Sequence, residues 1–271
     1  MYKFLISVCT FKESENIKNL ITEIKKYHKD INILIIDDFS NDNIKEELEE
    51  FIKNKEIIFL QRKEKLGLGS AHKLSLIYAT KNSYDFVLSL DADFSHQPKE
   101  INKLLKCVKK NSFVIGSRFI NGSKLDYTGF RRIVSILGNK FATTLLRIPI
   151  REVTTYFRIY DVSLLSQIPF EKLNSQGYSM GVELVWFMQK LNAELIEVPI
   201  HFKDRKKGKS KLPKIQILVS IYHVFKLFIC NIIGRTFSLN SNNFGKSKCG
   251  HCHEFIDKEK YANFICPICQ R

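Results

Sequence analysis

Short apolar runs alternate with segments of helical periodicity along the first 116 residues. Residues 4–9 predict a strand, and Ile17, Leu20, Ile21 and Ile24 then recur at the spacing of one helix face. A second apolar run over 31–36 ends in Asp37-Asp38-Phe39-Ser40, and it is followed by an expected polar helix over 43–53 and a strand over 57–60. The pattern continues with a helix over 70–80, a strand over 86–90, a helix over 99–109 and a strand over 113–116. Strands separated by helices of this kind predict right-handed βαβ units, a parallel sheet and an α/β fold. Open sheets of that type bind ligands outside the carboxyl ends of their strands.

The charged residues fall where such a sheet would use them. The strand over 86–90 runs into Asp91-Ala92-Asp93-Phe94-Ser95-His96-Gln97-Pro98, two carboxylates one residue apart at a strand end. A turn there can direct Asp91 and Asp93 at one Mg²⁺ or Mn²⁺, which take oxygen ligands and are commonly shared with substrate phosphates. In isolation Asp-x-Asp also suits a solvated turn. The second acidic pair, Asp37-Asp38, ends another strand and would face the same crevice, which favours the metal and nucleotide reading. Leu66-Gly67-Leu68-Gly69 could cradle a phosphate, but its spacing matches neither the dinucleotide fingerprint nor the P-loop, and a tight strand-to-helix turn is the better expectation.

Eight segments in order resemble the dolichyl-phosphate mannosyltransferases. They are Thr10-Phe11-Lys12-Glu13, Asp37-Asp38-Phe39-Ser40, Leu66 to Ala71, the run from Asp91 to Pro98, Gly116-Ser117-Arg118, Arg131 to Ser135, Thr154-Thr155-Tyr156-Phe157-Arg158, and Val198-Pro199-Ile200 through Lys211-Leu212. The resemblance spans residues 3–215. It implies an inverting GT-A glycosyltransferase, a Rossmann-like and mostly parallel sheet flanked by helices, that moves a sugar from a nucleotide donor to a polyprenyl or dolichyl phosphate. By the same resemblance Asp91 and Asp93 lie at the metal, with Asp93 the more direct ligand and Gln97 or Ser95 as further candidates. Thr10, Glu13, Asp38 and Asp91 would meet the donor. Arg131 and Ser135 would meet the acceptor phosphate, and Arg205 and Lys211 would lie on a segment that folds over the donor diphosphate. Arg118 and Arg158 stand in matching motifs as further cationic groups, and a guanidinium can bond two phosphate oxygens at once. The chain departs from the family at Cys9 (usually Pro), Lys12 (Asn), Phe39 (Gly), Glu152 (Asp) and Tyr156 (Gly).

Attack of a phosphate oxygen on an anomeric carbon builds negative charge on a nucleoside diphosphate leaving group, which a metal and basic residues can neutralise. A lipid phosphate is already ionised near neutral pH and needs orientation more than a strong base. GDP-mannose is the first expectation for the donor and UDP-glucose the second. A transferase of the same fold acting on a soluble or growing glycan is the alternative, although the chain lacks the Gln-x-x-Arg-Trp motif of processive synthases and its one Trp is Trp186.

The chain has 271 residues and a net charge of +15, which suits an anionic partner surface. Residues 215–233 are apolar but interrupted by Gln216, Ser220, His223, Lys226 and Asn231, the pattern of an amphipathic helix lying at a membrane interface or packed on the core. The apolar stretch 133–146 could border a lipid groove. No stretch reads as a cleavable signal peptide, because the run 5–8 is too short and serves as the first strand. The expected organisation is a GT-A domain over 1–212, an interfacial helix over 213–236, a linker over 237–247 and a small module over 248–271, peripheral to the cytosolic face of a membrane. In that module Cys249, Cys252, Cys266 and Cys269 form two Cys-x-x-Cys knuckles with the spacing of a structural Zn²⁺ ribbon, and iron is the minor alternative. Disulfides suit the chain less well, since the total of 7 cysteines is odd and a nucleotide-sugar enzyme belongs in a reducing cytosol. Such a ribbon could bind a protein partner. Basic charge with a ribbon also fits a nucleic-acid-binding protein, but the acidic motifs would repel nucleic acid.

Overall fold

The computed structural model describes residues 2–173, 175, 177–204 and 214–232. The elements in chain order are β1 (Phe4–Thr10), α1 (Ser14–Tyr27), β2 (Asn32–Asp37), α2 (Ile44–Glu47), α3 (Glu49–Lys53), β3 (Ile57–Gln61), α4 (Leu68–Lys81), β4 (Phe86–Asp91), α5 (Ile101–Leu105), β5 (Ser112–Ser117) and β6 (Lys124–Leu125). They are followed by α6 (Gly129–Leu146), β7 (Arg158–Asp161), α7 (Val162–Leu165), α8 (Tyr178–Lys190), β8 (Glu194–Pro199), β9 (His201–Phe202) and α9 (Lys214–Ile232).

The central strands are apolar along their whole length because both faces of the sheet are covered. Leu5, Cys9, Leu34, Ile36 and Val87 alternate into one core, shared with α4, α8 and α9. Ile6, Val8, Ile33, Ile35 and Leu88 point the other way, against Ile17, Leu20, Ile21 and Ile24 of α1. Every one of the four α1 residues picked out by periodicity is fully buried.

The main sheet runs β3-β2-β1-β4-β7-β5-β8, with β6 and β9 forming a separate pair. β1, β2, β3 and β4 pair in parallel as expected. β7 departs from the expected pattern, since it inserts between β4 and β5 and runs antiparallel to both. The chain order turns back on itself between β1 and β4, so the crevice predicted for such a sheet opens at the carboxyl ends of these two strands. The expected helix over 43–53 divides at Leu48 into α2 and α3, and the one over 99–109 is limited to a 3₁₀ turn at Pro98–Glu100 followed by α5.

Three of the eight non-glycine residues with positive φ among the described residues lie at this edge. Lys12, Phe39 and Phe94, which follow β1, β2 and β4, all adopt positive φ, at 58°, 62° and 62°. Side chains tolerate this region poorly, and such residues cluster at ligand sites. The conformation of Phe39 is one that glycine adopts at least cost, in keeping with the glycine that the resemblance implies there. Phe39 is 50% exposed and has little packing to lose. Phe39→Gly should therefore stabilise the fold by up to about 1 kcal/mol, the relief of the left-handed cost less the entropy of glycine. A urea midpoint that rises with unchanged slope is the expected reading, and a fall would show that the exposed ring makes a stabilising contact.

Candidate active site

Register brings the acidic residues together, because Thr10 lies beside Asp37 and Cys9 beside Asp91 in the parallel ladders. Asp37 is fully buried and accepts the Thr10 hydroxyl at 2.9 Å, the Ser40 amide at 2.8 Å and the Gln61 side chain at 3.1 Å. It braces the ends of β1, β2 and β3, and the Thr10 hydroxyl is committed to that brace. Asp38 pairs with Arg62 at 2.8 Å and accepts the amides of Leu66 and Gly67 at 2.9 and 2.7 Å. The glycine loop before α4 is therefore a tight turn, with Gly67 at φ 89° and its amides directed to a carboxylate of the protein itself. Glu13 lies just beyond β1 and accepts from Asn16 at 2.8 Å.

The Asp91–Asp93 loop is held by its own polar groups. Asp93 is buried and accepts both the amide and the hydroxyl of Ser95. Gln97 donates back to the Phe94 carbonyl, which closes the turn around the left-handed Phe94. The Asp91 side chain is 29% exposed at the crevice. His96 is fully buried, and burial, the largest influence, lowers its pKa to about 4. The neutral ring accepts the Asp91 amide on Nδ1 at 3.0 Å, so Nε2 carries the proton and donates to Thr155 Oγ1 at 2.9 Å. The approach of Nδ1 to an Asp91 carboxylate oxygen at 3.6 Å is consequently not an ion pair. Cys9, next to Asp91 in the ladder, is buried, and its thiol is raised far above the ordinary range by that burial.

These observations test a divalent cation at the loop. Both nitrogens of His96 are engaged and the Cys9 thiol stays protonated, leaving Asp91, Asp93 and neighbouring oxygens as the donor set. That chemistry suits Mg²⁺ or Mn²⁺. Among the described residues no three His, Cys, Asp or Glu side chains are grouped to hold a metal.

A cationic network is built around Arg118, which follows β5. Arg118 makes two bonds to Glu152, at 2.6 and 2.9 Å, with the carboxylate fully buried and the guanidinium 9% exposed. Glu152 also accepts the amides of Thr154 and Thr155, at 2.9 and 3.1 Å. Burial alone would raise its pKa, but the charge and bonds of Arg118 together with Thr154 outweigh burial and hold it below the ordinary value. Arg118 further donates to Tyr127 at 3.0 Å, and the Tyr127 hydroxyl donates to Ser135 on α6 at 3.0 Å. Arg131, one turn earlier on α6, pairs with Asp204 at 3.0 Å and lies 4.4 Å over the Tyr127 ring.

The structure thus joins Asp91 and Asp93 in one loop after β4, and Arg118, Arg131 and Ser135 in one network around Tyr127. It corrects the expectation for Arg158, which is wholly buried and donates to the carbonyls of Thr155, Val153 and Gly181 and to the Tyr160 hydroxyl. Its donors are used in tying β7 to α8 and cannot reach a substrate. Arg205, Lys211, Cys249, Cys252, Cys266 and Cys269 lie outside the described residues. Tyr127, Glu152, His96 and Thr155 escaped sequence reasoning as site residues. For Glu152 the only signal was its departure from the family pattern.

A sheet with a topological switch beside β1 and an acidic pair at the end of β4 is the arrangement expected of a GT-A domain. Residues 5–169 match glycosyl transferase family 2, over more than half the chain, and the protein belongs to that family. It is 27% identical over 212 residues to the undecaprenyl-phosphate mannosyltransferase of Micrococcus luteus, covering 78% of this chain and 87% of that protein. It is 28% identical over 224 residues to the polyprenol monophosphomannose synthase of Mycolicibacterium smegmatis, covering 81% and 84%. Among solved structures it resembles glucosyl-3-phosphoglycerate synthase of Mycobacterium tuberculosis with Mn²⁺, UDP-glucose and phosphoglyceric acid, at TM-score 0.62 and 16% identity over 84% of this chain and 80% of that one. The same enzyme with Mg²⁺ and UDP aligns at TM-score 0.59 and 13% identity, covering 86% and 80%.

Proposed function

We propose that this enzyme transfers mannose from GDP-mannose to a polyprenyl phosphate at a membrane surface on the cytosolic side. The observation that carries the reading is the composition of α6. One helix carries Arg131 and Ser135, both in contact with Tyr127, and on it Phe130, Ile133 and Leu137 are 78%, 55% and 59% exposed. α9 packs against it, with the rings of Phe141 and Phe225 5.5 Å apart, and adds the exposed Leu218, Tyr222, Phe225 and Ile229. Exposed apolar side chains beside anion-binding groups suit an acceptor with an ionised head and a hydrocarbon tail. No helix among the described residues is long and apolar enough to cross a membrane, which fits an interfacial contact through α6 and α9. The names of the two bacterial relatives agree with this acceptor class.

In the proposed reaction a phosphate oxygen of the lipid bonds to the anomeric carbon while the bond to the nucleoside diphosphate breaks, with inversion. Arg131 and Ser135 hold and orient the attacking phosphate, and Arg118, whose nitrogens donate to Glu152, Thr154 and Tyr127, adds positive charge behind them. Asp91 and Asp93 would hold Mg²⁺ or Mn²⁺, which would neutralise charge on the departing diphosphate. Asp38 and Glu13 border the nucleoside side, and Arg205 and Lys211 are proposed to approach the diphosphate. The spacing of Cys249, Cys252, Cys266 and Cys269 supports a structural Zn²⁺ site.

The test is transfer of labelled sugar from GDP-mannose, with UDP-glucose in parallel, to polyprenyl phosphate in detergent with Mn²⁺. Labelled lipid from GDP-mannose is expected. Labelling of a soluble acceptor such as phosphoglyceric acid, with none of the lipid, would overturn the proposal.

A further inference from the structure

Tyr127 touches each group expected to meet the acceptor phosphate. Its hydroxyl accepts from Arg118, its hydroxyl hydrogen reaches Ser135, and its ring lies under the Arg131 guanidinium. The ring is 3% exposed and is fixed on another side by an edge-on contact to Phe202, 5.6 Å between centroids. We propose that Tyr127 is a positioning residue that turns the Ser135 hydroxyl into an obligate hydrogen-bond donor toward the acceptor phosphate. The inference rests on the acceptor assignment made above and adds a direction to its hydrogen bonds.

The direction follows from what each group can do. A guanidinium has donors only, so the Tyr127 oxygen must accept from Arg118. The Tyr127 hydrogen then needs an acceptor, because an unpaired hydroxyl in a buried position is costly. Ser135 Oγ, at 3.0 Å, is the acceptor. Were the bond reversed, with Ser135 donating, the Tyr127 hydrogen would be left buried without a partner. Ser135 therefore accepts from Tyr127, and its single hydrogen is directed elsewhere. A helical serine commonly returns that hydrogen to a carbonyl one turn back. No such bond from Ser135 is present among the described residues, where the Ser135 carbonyl instead accepts from Asn139. The chain of donors runs from the charge of Arg118 through Tyr127 to an outward Ser135 O–H. An ionised phosphate accepts hydrogen bonds and donates none, so a serine fixed as donor is matched to it, and polarisation along the chain strengthens the last bond.

The experiment uses Tyr127→Phe, which keeps the ring under Arg131 and against Phe202 and removes only the hydroxyl. Initial rates are measured while polyprenyl phosphate and GDP-mannose are varied separately, for the wild type, Tyr127→Phe, Ser135→Ala and the double variant. The expected result is an acceptor KM raised about tenfold in Tyr127→Phe, with the donor KM unchanged. The double variant should be no worse than Ser135→Ala alone, because Tyr127 acts through Ser135. A merely structural role would move both KM values together or lower the melting temperature. An unchanged acceptor KM in Tyr127→Phe, or effects that add in the double variant, would overturn the relay. If the wild type labels no lipid, the acceptor assignment fails separately. The relay is then judged by titrating inorganic phosphate: weaker binding to Tyr127→Phe supports it and equal binding overturns it.

Discussion

Asp93→Asn should lower sugar transfer roughly 10³-fold while leaving the fold intact. The amide is the same size as the carboxylate, and its oxygen can still accept the Ser95 amide that shapes the turn. What it loses is the negative charge that binds a divalent cation. Charge stabilisation supplied by a metal is worth several kcal/mol, and each 1.4 kcal/mol or so is a factor of ten in rate. Residual activity of the variant should need more Mn²⁺ to saturate. Transfer rates across a Mn²⁺ series, alongside thermal melts, check this. A loss of less than tenfold at saturating metal would remove Asp93 from the site.

The largest effect on stability is expected at Arg118. Arg118→Ala strands Glu152, a fully buried carboxylate, without its cationic partner. Breaking a buried pair in this way costs about 3–5 kcal/mol. The pH dependence distinguishes this from a simple packing loss. In the wild type the Glu152 pKa is depressed below its ordinary 4.5, so its contribution to stability is in place above that pH and is lost as pH falls through the folded value. In the variant burial acts without the guanidinium, and the folded value moves above the unfolded one. The sign then reverses, and the variant recovers stability as pH falls. Denaturant unfolding at pH 7 and at pH 5 reads this directly. An equal deficit at both values would show that the ion pair is not the cause.

The parallel half of the sheet was legible in the sequence because each of its strands is an unbroken apolar run and each intervening helix carries a clear periodicity. β7 was not. Its four residues include Arg158 and Asp161, so no apolar run announces it, and its place between β4 and β5 depends on pairings with strands far along the chain. Arg158 misled for a related reason. An arginine in a matching motif reads as a phosphate ligand, and only the packing of β7 against α8 shows that carbonyls occupy it. Asp91 and Asp93 stood out because the apolar run before them predicted a strand, which the structure forms as β4, with the carboxylates at its carboxyl end beside the switch point. Tyr127 could not, since the polar segment around it reads as an ordinary loop and its importance arises only where Arg118, Arg131 and Ser135 converge.

The same β7 has a consequence for synthesis. While the ribosome is still extending the chain beyond β5, β4 and β5 have no strand between them, and each presents an open edge. Ser89 of β4 finds its partner carbonyl at Tyr156, 67 residues later. Until β7 emerges the nascent chain carries one open edge on β4, whose other edge pairs with β1, and a largely apolar β5 with no partner, the kind of edge that pairs with other chains. The closing of the sheet also delivers Thr155 to His96 and Glu152 to Arg118. Insertion of β7 therefore closes two facing edges and makes these site contacts in a single event, and β8, made later, covers the remaining edge of β5.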